Sequence, residues 1–347
     1  MAGADGGWLA GIARLLRGRQ PVGRSGLPLD EALEEVVLGA PRRYTRLQVS
    51  AAAGLDQEEG RRLWRSLGFA EVADDAVLFT QRDIDAAQLM SGLTEAGVLD
   101  PDVREAVARA VAQQMSRLAE WQVGLVRRLV ESRPEEVTAQ QVLEITTAVV
   151  PALQELQTYV WRRHLAATVH RSLVTSGTVA GSPDTWPLVV GFADMVGFTR
   201  TTRRRSTAEL GEMIERFGSS TTEVIADGRG RIVKTVGDEV LFVADEIADG
   251  AAIALGLLRR VSAEPVLPRL RIGLAAGPVL VRYGDVYGEV VNIAARLTTH
   301  AHPDSVLVDR TVAEALADDP RFAVRPLRPL AVRGYRNLHP WLLEPNS

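Results

Sequence analysis

Two periodicities divide the chain. From residue 29 to about residue 173, apolar residues recur at intervals of three and four, the spacing that lines one face of a helix. The run from Glu105 to Leu118 carries this most clearly and continues toward Leu129. A second helix is expected after Pro134, where Glu135 and Glu136 suit the positive end of a helix. A further one is expected from about Ala152 through Tyr159, Trp161 and Leu165 to Leu173. The stretch Thr175-Ser-Gly-Thr-Val-Ala-Gly-Ser-Pro183 then reads as a hinge.

From Trp186 the pattern changes. Pro187–Ala193 is a short apolar strand, followed by a helix near Thr207–Ala226 and a hairpin turning at Gly237-Asp238. A helix near Ile247–Val261 and a strand Leu270–Ala276 complete β-α-β-β-α-β, the ferredoxin-like order, with further strands and helices after it. The fold class expected is α+β: a ferredoxin-like domain preceded by an all-α domain. The expected divisions are a tail at 1–25, a helical regulatory domain at 26–165, a linker at 166–186 and a catalytic domain at 187–347.

Composition narrows the function. A length of 347 residues suits two domains, and a net charge of −4 gives no global basic field for nucleic acid. The chain has no cysteine, which excludes disulfides, thiolate catalysis and cysteine-based zinc sites. No apolar run approaches the ~18 residues of a membrane span. The stretch Trp8–Leu16 is short and interrupted by Arg14, so it reads as a frayed tail rather than a surface helix or a signal sequence. A cytoplasmic location without stable membrane insertion is expected.

Lys234 is the only lysine among 40 basic residues. Where almost every cation is arginine, a retained lysine points to a need for a compact ammonium on a flexible stem. It lies in Arg231-Ile-Val-Lys-Thr-Val-Gly-Asp-Glu239, read as strand, tight turn, strand, which brings Lys234 and Asp238 near one hairpin tip. Asp194 ends the preceding strand in Phe192-Ala-Asp-Met-Val-Gly-Phe-Thr199. Two carboxylates at the ends of adjacent strands suit two Mg²⁺ or Mn²⁺ ions. Phe198 and Thr199 open a turn before a helix, where free backbone N–H groups receive phosphate oxygens. In Gly284-Asp-Val-Tyr-Gly-Glu-Val-Val-Asn-Ile-Ala-Ala-Arg296, a helix from Tyr287 onward would place Asn292 and Arg296 on one face, with Asp285 in the loop before it.

These three motifs make residues 187–347 resemble the catalytic domain of the class III nucleotidyl cyclases. The resemblance implies metal binding by Asp194, Asp238 and the backbone of Met195, purine selection by Lys234 and Asp285, ribose orientation by Asn292 and transition-state stabilisation by Arg296. It also implies a homodimer whose two sites take metals from one subunit and the Asn/Arg pair from the other. The chemistry of the base agrees. Adenine presents an acceptor at N1 and a donor at N6, which complement a lysine and a carboxylate, whereas guanine inverts both. ATP is therefore the expected substrate, and a guanylate cyclase is the alternative. Arg333 and Arg336, in the turn Val332–Asn337, are candidates for the β- and γ-phosphates, with a solvated turn as the alternative.

The N-terminal half offers other readings. Residues 44–90 resemble a winged helix-turn-helix, so a DNA-binding regulator that uses the cyclase fold as a nucleotide sensor is the non-enzymatic alternative. Asp56, Gln57, Glu58 and Glu59 at the start of its second helix oppose phosphate. Packing is the expected use of this module, burying Leu63, Trp64, Leu67 and Phe69. The order helical module, hinge, single cyclase domain resembles bacterial cyclases with an autoinhibitory, pH-responsive N-terminal domain. Of five histidines, His164 and His170 enter the hinge and are the sensor candidates. A lipid or small apolar ligand is a further candidate for this domain.

Overall fold

The computed structural model describes residues 27–131, 138–175, 184–203, 205–332 and 335–346. The chain divides into two compact units, Met1–Val174 and Thr175–Ser347.

The described residues of the first unit are helical. They form α1 (Leu29–Leu38), α2 (Arg46–Ala52), α3 (Gln57–Ser66), α4 (Gln81–Glu95), α5 (Pro101–Glu131) and α6 (Ala139–Thr175). Capping boxes start three of them: Thr45 with Gln48, Asp56 with Glu59, and Thr80 with Asp83. Each satisfies two backbone N–H groups that the helix itself leaves unpaired. Val49, Phe79 and Ile84 form a small core against which Trp64 packs. Beside it lies an apolar cavity of about 270 Å³ lined by residues including Val49, Leu63, Trp64, Phe79 and Met90.

Two expectations are corrected here. The helices expected on either side of Pro151 are one continuous helix, α6, with Pro151 inside it. Proline's φ is compatible with a helix, and only one backbone donor is lost at that point. Phe69 is 52% exposed, although its ring centroid lies 4.3 Å from that of Trp64. It follows Gly68, whose φ of 80° turns the chain out of the helix, so only one ring face is covered. Leu63 is buried, and Trp64 and Leu67 are half-buried. The cationic side of α3 is met by carboxylates: Arg61 and Arg65 each lie 3.5 Å from Glu71, and Arg62 lies 3.5 Å from Glu105.

The second unit contains β1 (Thr185–Met195), α7 (Phe198–Thr202), α8 (Thr207–Asp227), β2 (Arg231–Val236), β3 (Glu239–Ala244) and α9 (Ile247–Ser262). Then follow β4 (Leu270–Arg282), β5 (Asp285–Tyr287), α10 (Glu289–His300), β6 (Ser305–Val308), α11 (Arg310–Leu316), β7 (Phe322–Pro326), β8 (Leu330–Val332), β9 (Tyr335–Leu338) and β10 (Trp341–Pro345). The main sheet runs β2-β3-β1-β4-β6-β10-β7, with β5 paired to β4 and a separate β8-β9 ribbon. β4 and β6 are parallel, joined across the sheet by α10, while the central pairs β1–β3 and β1–β4 are antiparallel.

Alternation along β1 divides the core. Val189, Ala193 and Met195 face the cluster formed with Met213, Phe217, Ile253 and Leu257 of α8 and α9. Leu188, Val190 and Phe192 face the other way, toward Val290 and Ala294 of α10. Side chains such as Phe217, Phe242 and Ile272 are almost wholly removed from water, each stabilising the fold by about 1.5–3 kcal/mol. Asp194 shares parity with Phe192 and so lies on the α10 face.

Candidate active site

The β2–β3 hairpin turns through a two-residue loop, Gly237-Asp238, with Gly237 at φ 63°. Its register is irregular. Ile232 stands opposite Phe242, but Lys234 stands opposite Leu241, so β2 carries one extra residue there. Such a bulge re-aims the side chains that follow it. Ile232 packs with the α8/α9 core, whereas Leu241 belongs to the α10 face. The bulge therefore turns Lys234 onto the face of the sheet that holds Asp194.

Asp285 corrects its expected place: it begins a short strand rather than lying in a loop. β4 runs on to Arg282 and folds back through Tyr283 and Gly284, both at positive φ (54° and 79°), so Arg282 pairs with Asp285. Paired positive φ values match the right-handed twist of the flanking strands. Lys234 Nζ and Asp285 Oδ2 are 2.5 Å apart, with side chains 39% and 25% exposed. Asp285 Oδ1 also accepts from Val286 N at 2.8 Å.

Asp194, next to last in β1, stands opposite Glu239 on β3 and Arg271 on β4. Met195 N donates to the Asp238 carbonyl at 3.1 Å, which ties the hairpin tip to the end of β1, and the Met195 side chain is buried. Burial raises the Asp238 carboxyl above its ordinary pKa, and the charge of Asp194 beside it adds to this. Burial likewise pushes Glu239 up to about 6, reinforced by Asp194 and Asp238. Three carboxylates thus converge on one strand end. Arg271 is the counter-charge: Nε donates to Asp194 Oδ2 at 2.6 Å, with Nη2 also 2.6 Å from that oxygen.

Helix α10 starts at Gly288, whose φ of 129° is open to glycine alone. It lies hard against β4 because Gly273 has no side chain: a Cβ there would come within 2.4 Å of the Ala294 carbonyl and the Thr298 nitrogen. Thr298 Oγ1 donates to the Ala294 carbonyl at 2.9 Å within the helix and lies 3.3 Å from the Phe192 carbonyl, so α10 also packs directly on β1. Asn292 and Arg296 both lie on the exposed face of this helix.

The structure thus brings Lys234 to Asp285 and Asp194 to Asp238, and places Asn292 and Arg296 on one exposed helix face. Phe198 and Thr199 sit in the first turn of α7, whose N-cap is Gly197 at φ 75°. Arg333 lies outside the described residues, and Arg336 is on β9. Sequence reasoning missed Glu239 and Arg271. Glu239 follows Asp238 directly at the hairpin tip, but its place opposite Asp194 appears only in the β1–β3 register. Arg271 gave no signal beyond opening a strand.

Residues 184–345 match the family described as the adenylate and guanylate cyclase catalytic domain. An adenylate cyclase of Streptomyces coelicolor (strain ATCC BAA-471 / A3(2) / M145) is 40% identical over 344 residues, covering 91% of this chain and 90% of that protein. The chain belongs to the class III adenylate and guanylate cyclase family. An adenylate cyclase of Glutamicibacter nicotianae is 36% identical, over 90% of this chain and 81% of its own length. A pH-sensitive adenylate cyclase of Mycobacterium tuberculosis (strain CDC 1551 / Oshkosh) is 32% identical, over 79% and 70%. Likeness to these cyclases extends across the helical unit as well as the catalytic one. No helix among the described residues is long and apolar enough to cross a membrane.

Proposed function

We propose that the protein converts ATP to 3′,5′-cyclic AMP and pyrophosphate at two equivalent sites in a homodimer. The observation that carries this reading is the Lys234–Asp285 pair, held at 2.5 Å on the sheet face that also bears Asp194. Nζ has three N–H donors and the pair uses one of them, so Lys234 can also donate to adenine N1 while Asp285 accepts from N6. Guanine would set a donor against the ammonium's donors and an acceptor against the carboxylate. Each such mismatch costs roughly 1–3 kcal/mol when buried, so two give about a hundredfold preference or more.

Asp194, Asp238 and the backbone of Met195 would hold two Mg²⁺ or Mn²⁺ ions. The donor set fits: hard oxygens suit these cations, and a cation would relieve both the burial that raises Asp238 and the charge of Asp194 beside it. Among the described residues, no group of three or more acidic, histidine or cysteine side chains is placed to hold a metal ion by itself, so the proposed ions would need further oxygens from triphosphate and water. When bound, the ions supply a lowered pKa for the ribose 3′-hydroxyl and charge neutralisation on the triphosphate.

The chain's own groups do the rest. The 3′-oxygen attacks the α-phosphorus and pyrophosphate leaves. Asn292 orients the ribose, and Arg296 meets the charge that develops on the α-phosphate. The first backbone N–H groups of α7, at Phe198 and Thr199, receive phosphate oxygens, and Arg333 is proposed as a partner for the terminal phosphates. Exposure of Asn292 and Arg296 supports their reaching a site on the second subunit. Asp194→Ala and Lys234→Ala test the assignment: each should remove cyclic AMP formation while circular dichroism stays native. Full activity in either would refute it.

The helical unit is proposed as a regulator acting through residues 166–186, consistent with the relative named as pH-sensitive. His164 and His170 lie exposed on α6. The apolar cavity of this unit is proposed to take a lipid or small apolar ligand. Removing residues 1–175 should raise the rate near neutral pH and flatten its pH dependence. An unchanged curve would argue against autoinhibition. ATP as substrate and the absence of cysteine suit a cytoplasmic setting.

A further inference from the structure

The sheet face that presents Asp194 carries a cation of its own. Arg271 stands directly across from Asp194 in the β1–β4 register. Its Nε and Nη2 both contact Asp194 Oδ2 at 2.6 Å, and its Nη1 donates to the Thr299 carbonyl at 3.2 Å. Thr299 is in the last turn of α10, where carbonyls lack helical donors. The guanidinium is therefore held at two points: the carboxylate on one side and the end of a packed helix on the other. Gly273 lets that helix pack directly on β4, with Thr298 against the Phe192 carbonyl of β1, so the second anchor belongs to a closely packed element.

We propose, resting on the reading of Asp194 as a metal ligand, that Arg271 is a resident competitor that sets the cation concentration at which the site fills. A divalent ion approaching Oδ2 must displace two N–H donors. One approaching Oδ1 instead sits beside a fixed positive charge whose repulsion is only partly screened. Either route lowers affinity relative to an Asp194 without this neighbour. The Asp194 side chain is 13% exposed and that of Arg271 34%, so solvent does not cancel the effect. Arg271 is in this sense a positioning residue. A purely structural role makes the opposite prediction, because loss of the ion pair would loosen Asp194 and weaken binding.

The test is a Mn²⁺ titration of the full chain without nucleotide, following the electron paramagnetic resonance signal of free Mn²⁺. It compares wild type with Arg271→Gln, Arg271→Lys and Asp194→Asn. Arg271→Gln should bind Mn²⁺ about tenfold more tightly or better. Arg271→Lys, which keeps the charge, should stay within about threefold of wild type. Asp194→Asn should weaken binding in both the wild-type and Arg271→Gln backgrounds. Equal or weaker binding by Arg271→Gln, with Asp194→Asn still weakening it, would overturn the competitor role and leave the Asp194 assignment standing. Binding indifferent to Asp194→Asn would overturn both. A Mg²⁺ titration of wild type, read at the Arg271 Nε–H resonance, covers the case in which Arg271→Gln does not fold. That resonance should move with the metal, and a resonance unmoved at saturation would overturn the proposal.

Discussion

Lys234 Nζ and Asp285 Oδ2 lie 2.5 Å apart across 51 residues of sequence. A bulge in β2 delivers the first, and a positive-φ turn ending β4 delivers the second. Neither side chain is deeply buried, so the pair contributes about 0–1 kcal/mol to stability. Lys234→Ala should accordingly leave the melting temperature within a few degrees of wild type. It should lower kcat/KM for ATP by at least about thirtyfold, through the lost charged donor and the unpaired Asp285. Steady-state kinetics beside a thermal melt separate the two effects.

Glu239 provides a pH signature. Burial, then Asp194 and Asp238, push its pKa up to about 6. An unfolded chain releases this proton near 4.5, so between these values the folded protein holds more protons. Stability is therefore highest below pH 4.5 with respect to this group, and falls as pH rises through 6. After allowance for solvent screening the effect is on the order of 1 kcal/mol. Glu239→Gln should remove that slope in urea unfolding at pH 4.5 to 7 in a chelator-containing buffer; an unchanged slope would contradict the assignment.

Gly273→Ala should strike the site through packing alone. The added carbon would meet backbone atoms of α10 at 2.4 Å, which flexible side chains cannot relieve. Overpacking of this kind costs about 1–3 kcal/mol. The activity loss should exceed what the melting shift explains, because the displaced helix carries Asn292 and Arg296.

Arg296→Ala should lower kcat about a hundredfold or more with little change in KM or melting temperature, since the side chain is exposed and acts on the transition state. Mixing impaired Arg296→Ala with inactive Asp194→Ala should raise activity well above that of either alone, because one site of the mixed dimer would be intact. Failure to complement, with mixed dimers present by mass spectrometry, would mean that each site is built within one subunit.

Much of this was legible in the sequence where one residue type at one spacing carried the chemistry. The lone lysine, the Gly237-Asp238 turn and the Asn292–Arg296 spacing are local, and the structure places them on the expected elements. What was not legible depends on pairing across strands. The extra residue in β2 that turns Lys234 to the Asp194 face leaves no mark in the hydrophobic pattern. Arg271 is seen only once β4 is aligned with β1. Pro151 reads as a break, but α6 runs through it. Phe69 reads as core but sits past a glycine that turns it outward.

The most direct measurement is the product formed by the purified full chain with Mn²⁺ and either ATP or GTP, compared as kcat/KM. The account predicts cyclic AMP from ATP with about a hundredfold preference over cyclic GMP from GTP. Equal rates, or a preference for GTP, would contradict the role given to Lys234 and Asp285.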